Sequence, residues 1–148
     1  MKGNMGQRAP RSAGHRVIPH TADLIIEAWG PSRIACLEEA ARALVDSFAH
    51  VVEVAVTEPV PIELERDGDE ALLVSLLDEI IYVVDVLGRV PARITLEETE
   101  DGGVAGFLDL APPDALEIHG SLPKGVSFAD LVFADTNGVW RCRVTIDV

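Results

Sequence analysis

Two short stretches hold the residues whose types and spacing best suit chemistry. One is His20-Thr21-Ala22-Asp23, a polar cluster at the entrance to an apolar strand, where a carboxylate lies near the end of a sheet. The other is Thr145-Ile146-Asp147-Val148, which places an Asp next to the last residue within an otherwise apolar strand. If the first and last strands are neighbours, Asp23, Asp147 and the carbonyl or terminal carboxylate of Val148 could converge as oxygen ligands. Hard oxygen donors without Cys suit calcium, magnesium or manganese better than zinc. Each residue also has a plainer reading, Asp23 as a turn cap and Asp147 as a solvated strand end, and residue types alone favour it.

The remaining reactive side chains carry weaker signals. His20 and His119 read as half-buried histidines that bond backbone near strand ends. Lys124 is one of two lysines and the only one outside the N-terminal segment; its isolation among acids makes it a candidate contact for an anionic group. Glu97, Glu98, Glu100 and Asp101 read as a solvated hairpin tip, and Asp78, Glu79 and Asp85 as an exposed helix face. Cys36 and Cys142 stand far apart in sequence with no metal-binding spacing, which points to two free, buried thiols. No GxGxxG, GxxxxGK[ST] or nucleophile-elbow signature is present.

Positioning these groups falls to a β, α, β, α order followed by a run of β. Val17 to Trp29 reads as one extended strand, with Leu24, Ile26 and Ala28 on one face and Ile25, Glu27 and Trp29 on the other, broken by Gly30-Pro31. Ser32 can cap a helix whose apolar positions Ile34, Leu37, Ala41, Leu44, Val45 and Phe48 recur at helical spacing through to His50. Val51 to Glu65 reads as one or two edge strands, because Pro59 and Pro61 remove ladder donors. A second helix spans about Asp69, a plausible cap, to Gly88, with a stripe wide enough to centre the core. Strand-like pieces follow at 92–98, 104–111, 115–119, 125–134 and 139–148. Gly102-Gly103 and Asn137-Gly138 supply hairpin turns. Grouped strands with two helices predict an α+β domain in which the helices pack on mainly antiparallel sheet.

Composition limits what this domain can do. The 148 residues are 48% hydrophobic and carry a net charge of −13. That is one compact domain, with no apolar run near the ~20 residues of a membrane span. Residues 1 to 16 hold four cations and no acid, leaving residues 17 to 148 with eight cations against 25 acids, a net −17. Residues 1–14 read as a disordered basic tail and 15–148 as the folded domain. Direct nucleic-acid binding is disfavoured, since phosphate affinity comes from clustered Lys and Arg. Without an export signal or disulfide framework, the expected compartment is the cytoplasm.

Taken together, these residues resemble the archease family. The resemblance rests on His20-Thr21-Ala22-Asp23 followed by a strand and a Gly-Pro start to a helix, on LEEAARALVDS (Leu37 to Ser47), on ALLVSLLDEIIYVVD (Ala71 to Asp85), and on the ending Thr145-Ile146-Asp147-Val148. It runs from about Gly14 to Val148. The family's Val-Lys-Ala-Val-Thr-Tyr-His segment corresponds to Pro123–Ala129, which keeps the lysine as Lys124 and places Phe128 and Ala129 where the family has Tyr and His.

The resemblance implies a small acidic accessory protein, not an enzyme, that acts with the RtcB type of tRNA-splicing RNA ligase and promotes its guanylylation and turnover. It also implies a metal site, usually calcium, carried over to Asp23, Asp147 and Val148; beside that site, Lys124 and His20 are read as the contacts for the partner or its nucleotide. Charge supports the same division of labour, because a domain at −17 is steered toward a cationic protein surface and away from phosphate. Two alternatives stand beside it: a chaperone-like assembly module, and a small metal-dependent hydrolase using the same carboxylates to activate water.

Overall fold

The computed structural model describes residues 12–19, 23–52, 58–64 and 67–148. It is an α+β fold in which every strand pairing among these residues is antiparallel. In chain order the elements are β1 (Gly14–Pro19), β2 (Asp23–Gly30), α1 (Arg33–Asp46), β3 (Ala49–Val51), β4 (Glu58–Glu63), α2 (Asp69–Tyr82), β5 (Val90–Glu98), β6 (Val104–Ala111), β7 (Leu116–Ile118), β8 (Gly125–Thr136) and β9 (Val139–Asp147). A four-stranded sheet runs β1-β2-β9-β8, a three-stranded sheet β4-β6-β5, and β3 pairs with β7.

Helix α1 begins where the spacing predicts. Ser32 sits in extended backbone at the N-cap and its Oγ accepts the Ala35 N–H at 3.0 Å, satisfying one of the free donors of the first turn. The helix ends at Asp46 and not at His50, because Ala49–Val51 turns into β3. Its buried residues, Cys36, Leu37, Ala40, Ala41, Ala43, Leu44 and Val45, cover a wide arc rather than one stripe. That width follows from its neighbours: α1 lies against β2 and β1 of one sheet, β5 of the other, and α2. Small alanines let the helix approach both sheets closely. The same closeness is visible at Gly30, where an added Cβ would stand 2.9 Å from the Ala35 Cβ.

Helix α2 is the apolar centre expected of it, with Leu72, Leu73, Leu76, Leu77 and Ile80 essentially inaccessible to solvent. Asp69 is not its cap. The N-cap is Gly68, at φ 109, and no side chain bonds the first turn. Beyond Tyr82 the backbone widens into a π-helical turn, Val83–Leu87, and stops at Gly88 in the left-handed region (φ 64) that glycine tolerates.

The predicted single strand 17–29 is two strands. β1 and β2 form an antiparallel pair, Gly14 opposite Trp29 through Pro19 opposite Leu24, so they are two strands of opposite direction. β1 therefore takes in Gly14, the last residue of the expected tail; residues 1–11 of that tail lie outside the described residues. β4 does occupy a sheet edge, consistent with its two prolines, while residues 53–57 lie outside the description. Asn137 and Gly138, at φ 55 and 83, form the primed turn between β8 and β9. Among the described residues no helix is long and apolar enough to cross a membrane.

Candidate functional site

The first and last strands named by sequence are neighbours. β2 and β9 pair so that Asp23 stands directly opposite Asp147, and β8 continues the row with Gly125 opposite Asp147 on the other side. Alternation fixes the face. Ile26, Ala28, Cys142, Val144 and Ile146 are buried toward the helices, so Asp23 and Asp147 share the outer face.

Directly opposed side chains in an antiparallel pair have Cβ atoms roughly 5 Å apart, and like charges there repel. Asp147 is exposed, Asp23 is half-buried, and the Asp23 Oδ1 is shielded from solvent. Gly125 leaves the space beside Asp147 open, since even a Cβ there would be 3.8 Å from its Oδ2. Arg16 and Arg143, on the same face, are engaged by Glu27 at 3.5 and 2.6 Å, and Arg16 lies over the Trp29 ring at 5.3 Å.

Two carboxylates side by side with an uncrowded third position fit a hard divalent cation by donor chemistry. Among the described residues no three His, Cys, Asp or Glu side chains gather closely enough to hold a metal. A main-chain or terminal oxygen would have to complete the set. Val148 is half-buried against the core and follows Asp147 directly.

Lys124 reaches the same corner. Its N–H donates to the Asp147 carbonyl at 2.8 Å, tying the start of β8 to the end of β9, while its side chain is exposed. His20 lies outside the described residues. His119 is exposed and not half-buried; its N–H bonds the Phe48 carbonyl at 2.8 Å.

Of the hairpin-tip acids, Asp101 accepts from the Thr99 hydroxyl and, at 3.2 Å, from the Gly103 N–H, and Glu98 with Asp69 grips Arg33: Nε donates to Glu98 Oε2 at 3.0 Å and Nη1 to Asp69 Oδ1 at 2.8 Å. Hydrogen bonding to Glu98 is the largest influence holding that guanidinium charged. Cys36 and Cys142 are free and buried. Their thiols meet in the core between α1 and β9, and that contact, reinforced by burial, pushes the Cys36 thiol well above its usual range.

What sequence reasoning did not find is the break in β8. Ser127 pairs with Thr145 and Val132 with Arg143, so the four residues 128–131 face a single residue of β9. Asp130 sits at φ 59 within this bulge and Phe128 is thrown outward, 70% exposed. A positive φ at a non-glycine residue has no local signature in an alternating apolar run.

The profile of the Archease protein family (MTH1598/TM1083) matches residues 15–148. The Mycobacterium tuberculosis (strain CDC 1551 / Oshkosh) protein named probable protein archease is 40% identical over 142 residues, covering 93% of this chain and 76% of that one. The protein archease of Pyrobaculum neutrophilum is 24% identical over 143 residues, covering 93% and 97%. Two solved structures share the fold. Protein 1598 of Methanobacterium thermoautotrophicum aligns with a TM-score of 0.67 at 24% identity, over 91% of this chain and 99% of the other. A Thermotoga maritima protein, called an archease and possible chaperone, aligns with a TM-score of 0.63 at 23% identity, over 90% and 96%. The shared fold and the match over residues 15–148 agree, and the chain belongs to the Archease family.

Proposed function

We propose that this chain is a cytoplasmic accessory protein, not itself an enzyme, that activates an RtcB-type tRNA-splicing RNA ligase by promoting its guanylylation and turnover. The observation that carries the reading is the pairing of Asp23 with Asp147, two carboxylates from opposite ends of the sequence aligned on one open sheet face with Gly125 beside them. Asp23 and Asp147, with an oxygen of Val148, would hold a divalent cation, calcium foremost and magnesium or manganese as alternatives. When bound, that cation supplies a concentrated positive charge able to orient a phosphate or carboxylate of the partner complex.

The protein's own residues do the rest. Register in β2 and β9 fixes the two carboxylates, the Lys124 main chain clamps the strand ends, and the Lys124 side chain, with His20, contacts the partner or its nucleotide. The net charge of −13 favours a basic protein partner over direct contact with RNA.

A chaperone-like assembly role is the second reading, favoured by the description of the Thermotoga maritima relative as a possible chaperone. Ligase guanylylation separates the two. Wild type is expected to raise the guanylylated fraction of its own organism's ligase, while Asp23→Ala and Asp147→Ala each lose most of that gain yet still bind the ligase. Equal stimulation by wild type and both variants would favour the assembly module.

A further inference from the structure

Away from the carboxylate pair, α2 and the bulge of β8 enclose a groove of about 460 Å³. Its described lining includes Val74, Asp67, Asp78, Glu79, Tyr82 and Phe128. Tyr82 and Phe128 are 55% and 70% exposed, a large aromatic surface left in water on a chain whose other big side chains are mostly buried. The backbone is shaped to present them. Phe128 stands on a bulge that carries Asp130 at φ 59, and Tyr82 is the last residue of α2 before its π-helical turn, features found more often at functional sites than elsewhere.

Charge identifies the occupant. The described residues lining the groove bring three carboxylates, Asp67, Asp78 and Glu79, and no cation. None of the three forms an ion pair with a described residue. Asp78 is exposed on the groove wall, and the partial shielding it receives raises its carboxyl from the usual value, a cost that a facing cation would relieve. Aromatic faces beside carboxylates suit a planar guanidinium, which stacks on a ring and donates sideways to carboxylate oxygens. Lysine offers no plane to stack, and an anionic ligand would be repelled.

We propose that the groove between α2 and the β8 bulge is a docking site for an arginine side chain presented by a basic segment of a partner protein, seated between Tyr82 and Phe128 and neutralised by Asp78 and Glu79. The proposal extends the accessory role above by naming the partner chemistry at a second surface. Its test needs neither ligase nor metal.

The full-length chain, 15N-labelled, is titrated at low salt with acetyl-Ala-Arg-Ala-amide, and with the glutamine counterpart as control. Amide shifts are expected around residues 78–82 and 127–131 for the arginine peptide alone, with Phe128→Ala and Asp78→Asn each weakening binding about threefold to fivefold, as expected of an exposed cation–π or charge contact. Both side chains are exposed, so dispersed spectra will confirm that the variants fold. Equal shifts with the glutamine peptide, shifts spread over the whole acidic surface, or binding unaffected by both variants would overturn the proposal. Ligase stimulation that persists without peptide binding would sink the groove and leave the accessory role standing; peptide binding without stimulation would do the reverse.

Discussion

Replacing Gly106 with alanine is expected to unfold this protein at temperatures where the wild type is intact. Gly106 lies in β6, the central strand of its sheet, opposite both Ile62 and Leu96. A Cβ built there would fall 2.0 Å from the Thr95 carbonyl oxygen and 2.9 Å from the Leu96 Cα. These are backbone atoms of a paired strand, so no side-chain rotation relieves the clash and β5 must move off β6. Overpacking against a yielding neighbour costs about 1–3 kcal/mol, and an unyielding one puts this change at about 3 kcal/mol or above. For a chain of this size that lowers Tm by roughly 10 °C. Gly125→Ala is the internal contrast, because its Cβ would meet nothing nearer than 3.8 Å. Thermal unfolding followed by circular dichroism reads both. A Gly106→Ala midpoint within about 2 °C of wild type would contradict the observed pairing of β5 with β6.

The second large effect concerns the opposed carboxylates. In chelator, Asp23 and Asp147 face each other as like charges, and Asp147→Asn should stabilise the fold by up to about 1 kcal/mol. With calcium the order reverses. A ligand at a hundredfold its Kd stabilises the native state by about 2.7 kcal/mol, which raises the wild-type Tm by roughly 5 to 10 °C. Asp147→Asn should show little of that rise, and magnesium or manganese titrations rank the ions. Parallel curves for wild type and variant in calcium and in chelator would mean that the pair holds no cation.

Much of this was legible in the chain itself. Helical spacing located α1 and α2, the Asn137-Gly138 turn located the β8–β9 hairpin, and two aspartates at strand ends suggested a meeting that the register of β2 and β9 provides. The rest depended on information that no local window carries. The β1–β2 reversal escaped because Val17 to Trp29 holds no Gly or Asn to mark a primed turn, and an extended pattern does not show where a strand turns back. Asp69 resembled a cap, yet the backbone enters α2 from Gly68 at positive φ and leaves no side-chain bond to make. The contact of Cys36 with Cys142 spans most of the chain and follows only from α1 packing on β9. The β8 bulge is set by a register shift against β9, which alone decides that Phe128 points to solvent.

These elements also explain why the candidate site sits where it does. β9 is the last strand to enter the sheet and lies between β2 and β8, so its end is flanked on both sides. Asp147 thereby meets Asp23 of β2 on one side and Gly125 of β8 on the other, while the alternate residues Val144 and Ile146 lock the strand into the core. Slipping β9 by one residue would turn those apolar side chains outward, so core packing holds the carboxylates in place.

Multiple-turnover RNA ligation by the RtcB-type ligase of the same organism, with this chain at a small fraction of the ligase concentration, tests the accessory role most directly. The account predicts that wild type carries the ligase through many turnovers after its first round, and that Asp147→Asn at equal concentration and intact fold leaves it stalled. A ligase that turns over equally well with wild type, with Asp147→Asn and with neither would contradict it.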